Sequence, residues 1–260
     1  MTSTVPGLLE EVADGVLRLT FDRPEVLNAL SGEMAARVGA VLEEAVTRDD
    51  VRVVVISGRG GAFSTGADIA GEGAHARFDV RAMDVANRMI RGVVRLDKPV
   101  VAAVGGVAAG VGASLALACD LVVVARSAQL LLPFTRIGLM PDGGSTATVA
   151  ASIGRARAMR MGLLAEPLTA QEAYDAGLAT HLADDDAVDE LVATLARRLA
   201  AGPPVALAAT KRAVNAATLP HLEEALERER AGQTLLFGTA DLAEGMAAFN
   251  ERRRPDFRGE

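Results

Sequence analysis

The chain has 260 residues, half of them hydrophobic, and carries a net charge of −7, a balance that argues against a nucleic-acid groove, which needs a basic face. That length suffices for one large core with at most a small appendage. Cys119 is the sole cysteine, so no disulfide can form within the chain and no thiolate metal cluster is possible; with an N-terminal MTSTVPGLLEEV that lacks a basic start and an apolar segment, the expectation is a cytoplasmic, reducing compartment and no cleaved leader.

Leu8 to Val12 and Val16 to Phe21 flank Asp14-Gly15, a two-residue turn signal that predicts a β-hairpin. Ser31 is placed to cap a helix whose apolar residues Met34, Val38, Val41, Leu42 and Ala45 keep the 3.6-residue period. Val51 to Ile56 predicts a buried strand, which runs into the glycine-rich stretch GRGGAFSTGAD at 58–68. Gly66 and Ala67 there leave peptide N–H groups free of side-chain cover, a feature suited to holding an oxyanion. A dinucleotide loop is excluded, because Phe63 stands where the third glycine is needed after Gly58 and Gly60.

Gly71 to Arg77 reads as a mobile loop or a helix start, and Met83, Ala86, Met89, Ile90 and Val93 give a second amphipathic helix. Pro99 to Cys119 has no charge over 21 residues, and Gly106 and Gly110 have the small-residue spacing of membrane helices. Four glycines and a single basic flank, Lys98, favour a buried strand (Val100 to Val104), turn and short helix instead. Leu121 to Ala125 and Gln129 to Leu132 read as further strands. Helices follow: Ser145 to Ile153 stopped by Gly154, Ala156 to Leu164, TAQEAYDAG with capping-box spacing at Thr169 and Glu172, and a stripe from Val188 to Leu199. Everything after Pro203-Pro204 reads as helix, which divides the chain into a core over 1–200 and a helical region over 201–260.

Two glycine-rich strand exits, GGAFSTGAD and GGVAAGVGASLALACD, each bring small residues to a strand end, as a pair of converging amide donors requires. With RPEVLNAL, AFSTGADI, KPVVAAVGG, the turn leading to ACD, IGLMPDGGS and EGMAAFNERRRPDF in order, the chain resembles the crotonase, or enoyl-CoA hydratase/isomerase, family nearly end to end. The resemblance implies an α/β fold, a crotonase-like spiral of ββα units with a C-terminal helical trimerisation region, assembled as a homotrimer or a dimer of trimers. It implies an acyl-CoA thioester as substrate, coenzyme A entering only as part of it, with no metal, nucleic-acid or membrane partner. The thioester oxygen would sit between the amides of Ala67 and Val111. Glu25, Val26 and Ala29, with Ala67, Asp68 and Ile69, would cradle the CoA, and Phe249 and Arg252 would make a tail contact across the trimer.

The likeness has one departure that bears on chemistry. Family hydratases resemble one another in using two glutamates, and Ser114 and Phe134 stand at the matching places here. Asp142 occupies a place where hydratases have glycine, which makes the chain most similar to isomerases of the phenylacetate-degradation type. Asp142 is therefore expected to shuttle the proton in an acyl pocket walled by Phe134, Ile137, Leu139 and Met140. Other readings stand beside this one. Asp142 could cap the helix near Ser145. Ser114 could be a nucleophile, as in the similar Clp proteases, although His75, His181 and His221 lie in no motif that supplies a base. Met83 and Met89 read as core rather than substrate wall, and Arg252 to Arg254 as a solvated helix end. A hydratase recruiting water by other groups, and a non-catalytic acyl-CoA-binding subunit, are the alternative functions.

Overall fold

The computed structural model describes residues 2–71 and 73–260. The chain opens with strands β1 (Thr2–Val5), β2 (Leu8–Ala13) and β3 (Val16–Phe21). The last two form the predicted antiparallel hairpin, Leu8 opposite Phe21, turning through Asp14 and Gly15 at φ 52° and 78°. Helix α1 (Gly32–Glu44) starts where expected, the Ser31 hydroxyl accepting the Met34 N–H at 3.2 Å.

A ββα unit then repeats. It runs β4 (Val53–Gly58), β5 (Ala62–Ser64) and α2 (Val80–Arg95), then β6 (Val100–Val104), β7 (Val107–Ala109) and α3 (Val111–Ala118). The third copy is β8 (Leu121–Ala125), β9 (Gln129–Leu131) and α4 (Ser145–Leu164). The remaining core elements are β10 (Leu168–Thr169), α5 (Ala170–Asp175), β11 (His181–Ala183) and α6 (Val188–Ala200). The first strand of each unit joins a seven-stranded sheet of order β1-β2-β3-β4-β6-β8-β11, and the second joins a four-stranded sheet of order β10-β9-β7-β5. Each unit thus advances one strand in both sheets, which makes the path a spiral.

Val53 to Ile56 of β4 and all of β6 are unbroken, fully buried apolar runs, as parallel strands covered on both faces require. The fold departs from expectation in the two strand exits. Residues 62–64 and 107–109 are strands, too short for a two-residue alternation to show in sequence. The uncharged stretch 99–119 is β6, β7 and α3, a helix apolar on every side because protein encloses it. No helix among the described residues is long and apolar enough to cross a membrane. The 71–77 segment closes in one 3-10 turn at Ala74–Arg77, while Glu72 lies outside the described residues. Helix α4 is kinked at Gly154 (φ 78°, ψ 161°), as foreseen.

The C-terminal region folds as α7 (Pro204–Thr218), α8 (Leu222–Leu236) and α9 (Ala240–Glu251). Helix α7 is pinned by Lys211, whose buried ammonium pairs with Asp120 at 2.8 Å and donates to the carbonyls of Val93 and Lys98. Helix α8 packs on α2, tied by Arg91 and Arg95 to Glu223 and by Arg230 to Asp84.

Candidate active site

The site starts at the exits of β5 and β7. Asn28, in RPEVLNAL, is buried at φ 57° and donates to the carbonyls of Arg59 and Ala62 at 2.8 Å while accepting the Arg23 N–H. Ser64 continues this scaffold, its hydroxyl donating to the Asn28 carbonyl and accepting the Gly66 N–H. Leu30 then donates to the Gly66 carbonyl at 2.7 Å, and Asp68 donates to the Leu30 carbonyl at 3.0 Å. This parallel bridge uses the groups on either side of Ala67 and leaves the Ala67 N–H, turned the other way, without an acceptor among the described residues.

Across the gap, Gly110 donates to Leu131 and sits at φ 54°, ψ −137° as the residue before α3. The Val111 N–H is the first of the helix and so has no intrahelical acceptor, with the positive end of the helix dipole behind it. A Cβ on Gly66 (φ 92°) would meet the Ala109 carbonyl at 2.9 Å and the Val111 nitrogen at 3.3 Å, so only glycine lets the two loops approach this closely. Ala67 and Val111 line one cavity.

Asp142 faces that cavity from the turn before α4 and is 7 % exposed. Its carbonyl accepts the hydroxyls of Ser114 at 2.7 Å and Ser145 at 2.8 Å. Ser114 is fully buried and spends its proton on this strut, which removes the nucleophile reading; none of the three histidines lines the cavity. The Asp142 carboxylate does not cap α4 either. That task belongs to Glu229 of α8, which accepts the N–H of Gly144 at 2.7 Å, the N–H of Thr146 at 3.0 Å and the Thr146 hydroxyl at 2.5 Å. Asp142 Oδ2 instead accepts Nε2 of Gln233, also on α8, at 2.7 Å. Its Oδ1 is buried with no partner among the described residues.

Burial pushes the Asp142 carboxyl up to about 7, the Gln233 N–H opposing this and the nearby Glu229 adding to it. A carboxyl raised into that range is suited both to take and to give a proton near neutrality. Stability should follow. Between the ordinary carboxylate value of 3.8 and about 7, the folded chain holds a proton that the unfolded chain has released, so the cost of this buried group grows as pH rises through that window. Asp142→Asn removes the cost, and its stability advantage over the parent in urea denaturation is expected to widen by on the order of 3 kcal/mol between pH 5 and pH 8. A gap that stays constant over that range would show that Asp142 does not titrate there.

The cavity has a volume of about 770 Å³ and brings together Ala67, Asp68, Ile69, Val111, Phe134, Ile137, Leu139 and Asp142. The segment 76–89 forms one wall, including Met83 and Met89, which are buried core residues and cavity wall at once. Phe78 packs on Phe237 with ring centres 5.9 Å apart, and both line the cavity. Met140 is not part of the wall; its N–H donates to Gln233 Oε1 at 3.2 Å. Glu25 and Val26, in a 3-10 turn, and buried Ala29 do not line the cavity. Asp68 is held by Arg23 at 3.0 Å. Phe249, 58 % exposed, and Arg252, also exposed, lie away from the cavity of their own chain. Sequence reading missed Glu229 and Gln233. Their signal is that both fall on the apolar stripe of α8 with Leu222, Ala225 and Leu226, where a polar residue needs a buried partner.

The fold is two sheets wound by ββα units, and the amides of Ala67 and Val111, at the exits of β5 and β7, have no acceptor among the described residues and line one cavity. A profile of the enoyl-CoA hydratase/isomerase family matches residues 11–260, and the chain belongs to that family. It is 37% identical to the 1,2-epoxyphenylacetyl-CoA isomerase of Escherichia coli (strain K12), over 97% of this chain and 98% of that protein. It is also 37% identical to the 2,3-dehydroadipyl-CoA hydratase of the same organism, over 94% of this chain and 95% of that protein. The crystal structure of an enoyl-CoA hydratase from Mycobacterium avium subsp. paratuberculosis K-10 superposes with a TM-score of 0.92 at 45% identity, covering 98% of this chain and 99% of that one.

Proposed function

We propose that the protein is an enoyl-CoA isomerase that shifts a double bond in a thioester with an apolar acyl group, using Asp142 as its only proton shuttle. The observation that carries this reading is a single buried carboxyl, with one oxygen free among the described residues, in a largely apolar cavity whose other charged residues are partly or fully exposed, beside two amides with no acceptor among the described residues. Ala67 and Val111 hold the thioester oxygen, each donor contributing roughly 2.7 to 4 kcal/mol to the enolate. Asp142 takes the proton from the α carbon of a 3-enoyl-CoA, and the electron pair passes into the thioester carbonyl. Asp142 then gives a proton to the γ carbon as the double bond moves to the 2,3 position; its carboxyl exchanges with solvent between the two transfers, so deuterium can enter although no water is consumed. Ser114 and Phe134 stand at the two places where the family resemblance leads one to look for water-activating glutamates, and neither can activate water. The proposal extends to assembly as a homotrimer or dimer of trimers, in which Phe249 and Arg252 reach a neighbour's CoA while Glu25, Val26 and Ala29 flank its own.

Incubation with 2- and 3-enoyl-CoAs in heavy water separates the possibilities. Isomerisation with deuterium at the α or γ carbon is the expected result. Formation of 3-hydroxyacyl-CoA would replace the reading with a hydratase, and binding without either product would replace it with a non-catalytic subunit.

A further inference from the structure

We infer that Gln233 is the positioning residue that gives the two oxygens of Asp142 different tasks, holding Oδ2 in place and leaving Oδ1 to carry the proton. The inference rests on the reading of Asp142 as the proton shuttle.

The orientation of the Gln233 amide follows from what faces it. The Met140 N–H can only donate, so the atom 3.2 Å from it is the amide oxygen, and the NH₂ is thereby turned onto Asp142 Oδ2 at 2.7 Å. Gln233 is itself fully buried, four residues after Glu229 on one face of α8, and Glu229 fixes the N–H groups of Gly144 and Thr146. One helix face therefore grips the turn at Met140, Asp142, Gly144 and Thr146. Ser114 holds the Asp142 backbone from the opposite side, through its carbonyl. With backbone and Oδ2 both tied, the carboxyl plane is set, and Oδ1 is the oxygen left over, buried and unpartnered among the described residues.

The chemistry of the partner matters as much as its place. An amide N–H can donate to Oδ2 whether Asp142 is a carboxylate or carries a proton on Oδ1, because Oδ2 keeps a lone pair in both states. The carboxyl therefore need not rotate between taking and releasing the proton. A lysine or arginine at 233 would hold Asp142 ionised and make it a weak base, and a second carboxylate would compete for the proton. Glutamine donates without titrating. The charged group that acts on Asp142 from α8 is Glu229, with exposed Arg228 next to it. Asp68, Arg77, Asp79 and Arg81 line the same cavity but are partly or fully exposed. The helical stretches 111–118 and 145–154, which hold Asp142 through Ser114 and Ser145, contain no titratable residue, and Arg136 is engaged by the Ala165 carbonyl.

The test uses Gln233→Met, close in size but without the donor, and Gln233→Glu, which keeps an acceptor for Met140. Loss of the donor disfavours the charged carboxylate, so the limb of the kcat/KM profile that reports the ionised base should move to higher pH, by about one unit in Gln233→Met and further in Gln233→Glu. At pH 7, kcat should fall about tenfold or more, with KM changed little. Carboxyl infrared titration, read as the difference from Asp142→Asn, should show the same upward shift independently of turnover. A lowered melting temperature with an unmoved pH profile and unmoved infrared titration in both variants would reduce Gln233 to a packing residue and overturn the inference. Deuterium exchange by Asp142→Asn tells the two levels apart: exchange at the parent rate would sink the proton-shuttle reading itself, whereas lost exchange with unshifted Gln233 variants would sink only the role of Gln233.

Discussion

Asp142→Asn is expected to lower the isomerisation rate by on the order of a thousandfold or more, the range that a positioned acid–base group supplies. The variant should keep its fold. Asparagine has the same outline, its side-chain oxygen can still accept the Gln233 N–H, and the struts from Ser114 and Ser145 bind the backbone carbonyl, which the substitution leaves alone. Because α4 is capped by Glu229, no helix end is lost. Binding of a saturated acyl-CoA should be close to that of the parent, since Asp142 supplies none of the free amides. A variant that isomerised substrate at the parent rate would place the chemistry elsewhere.

The second large effect is expected from Val111→Pro. Val111 is the first residue of α3, the position at which proline costs a helix least, because the N–H it lacks is one the helix does not use. Proline is also close to valine in bulk. The substitution thus deletes one proposed oxyanion donor with little else, and kcat should fall about a hundred- to a thousandfold. Ala67→Pro should cost on the order of a hundredfold as well, whereas exchange of the Ala67 or Val111 side chain for one of similar size should be mild, since only the N–H is used. Full turnover by a folded Val111→Pro protein would remove the two-amide assignment.

The spiral was legible from its longest signals. Buried runs such as Val53 to Ile56 and Val100 to Val104, the Asp14-Gly15 turn, and the caps at Ser31 and Thr169 each act within a few residues, so local chemistry announces them. Gly66 and Ala67 stand out for a related reason, since a glycine turn exposes backbone, whereas the roles of Val111 and Asp142 are readable only through the family resemblance of the motifs that hold them. What stayed hidden depends on separation along the chain. The short strands β5 and β7 exist only because of their pairing within the smaller sheet, and a three-residue run carries no period of its own. Glu229 and Gln233 belong to a helix whose sequence says only that two polar residues lie on a buried stripe; their partners, Thr146 and Asp142, are set by the packing of α8 on α4. Ser114, read as a buried serine or a nucleophile, takes its meaning from a carbonyl 28 residues later.

The bond between Gln233 and Asp142 joins residues 91 positions apart, and that distance is also an interval of time. A ribosome adds about 5 to 20 residues per second, so Asp142 is made roughly 5 to 18 s before the side chain that holds it. Through that interval the sheets and α1 to α4 can assemble from contacts already synthesised, but the turn at 140–146 has no grip from α8, and the wall contributed by Phe237 does not yet exist. The cavity is finished only once α8 and Phe237 have been made. A nascent chain that stops short of α8 therefore has the strand exits of β5 and β7 but no Gln233 to hold Asp142, and the synthesis of α8 is the step that completes the turn.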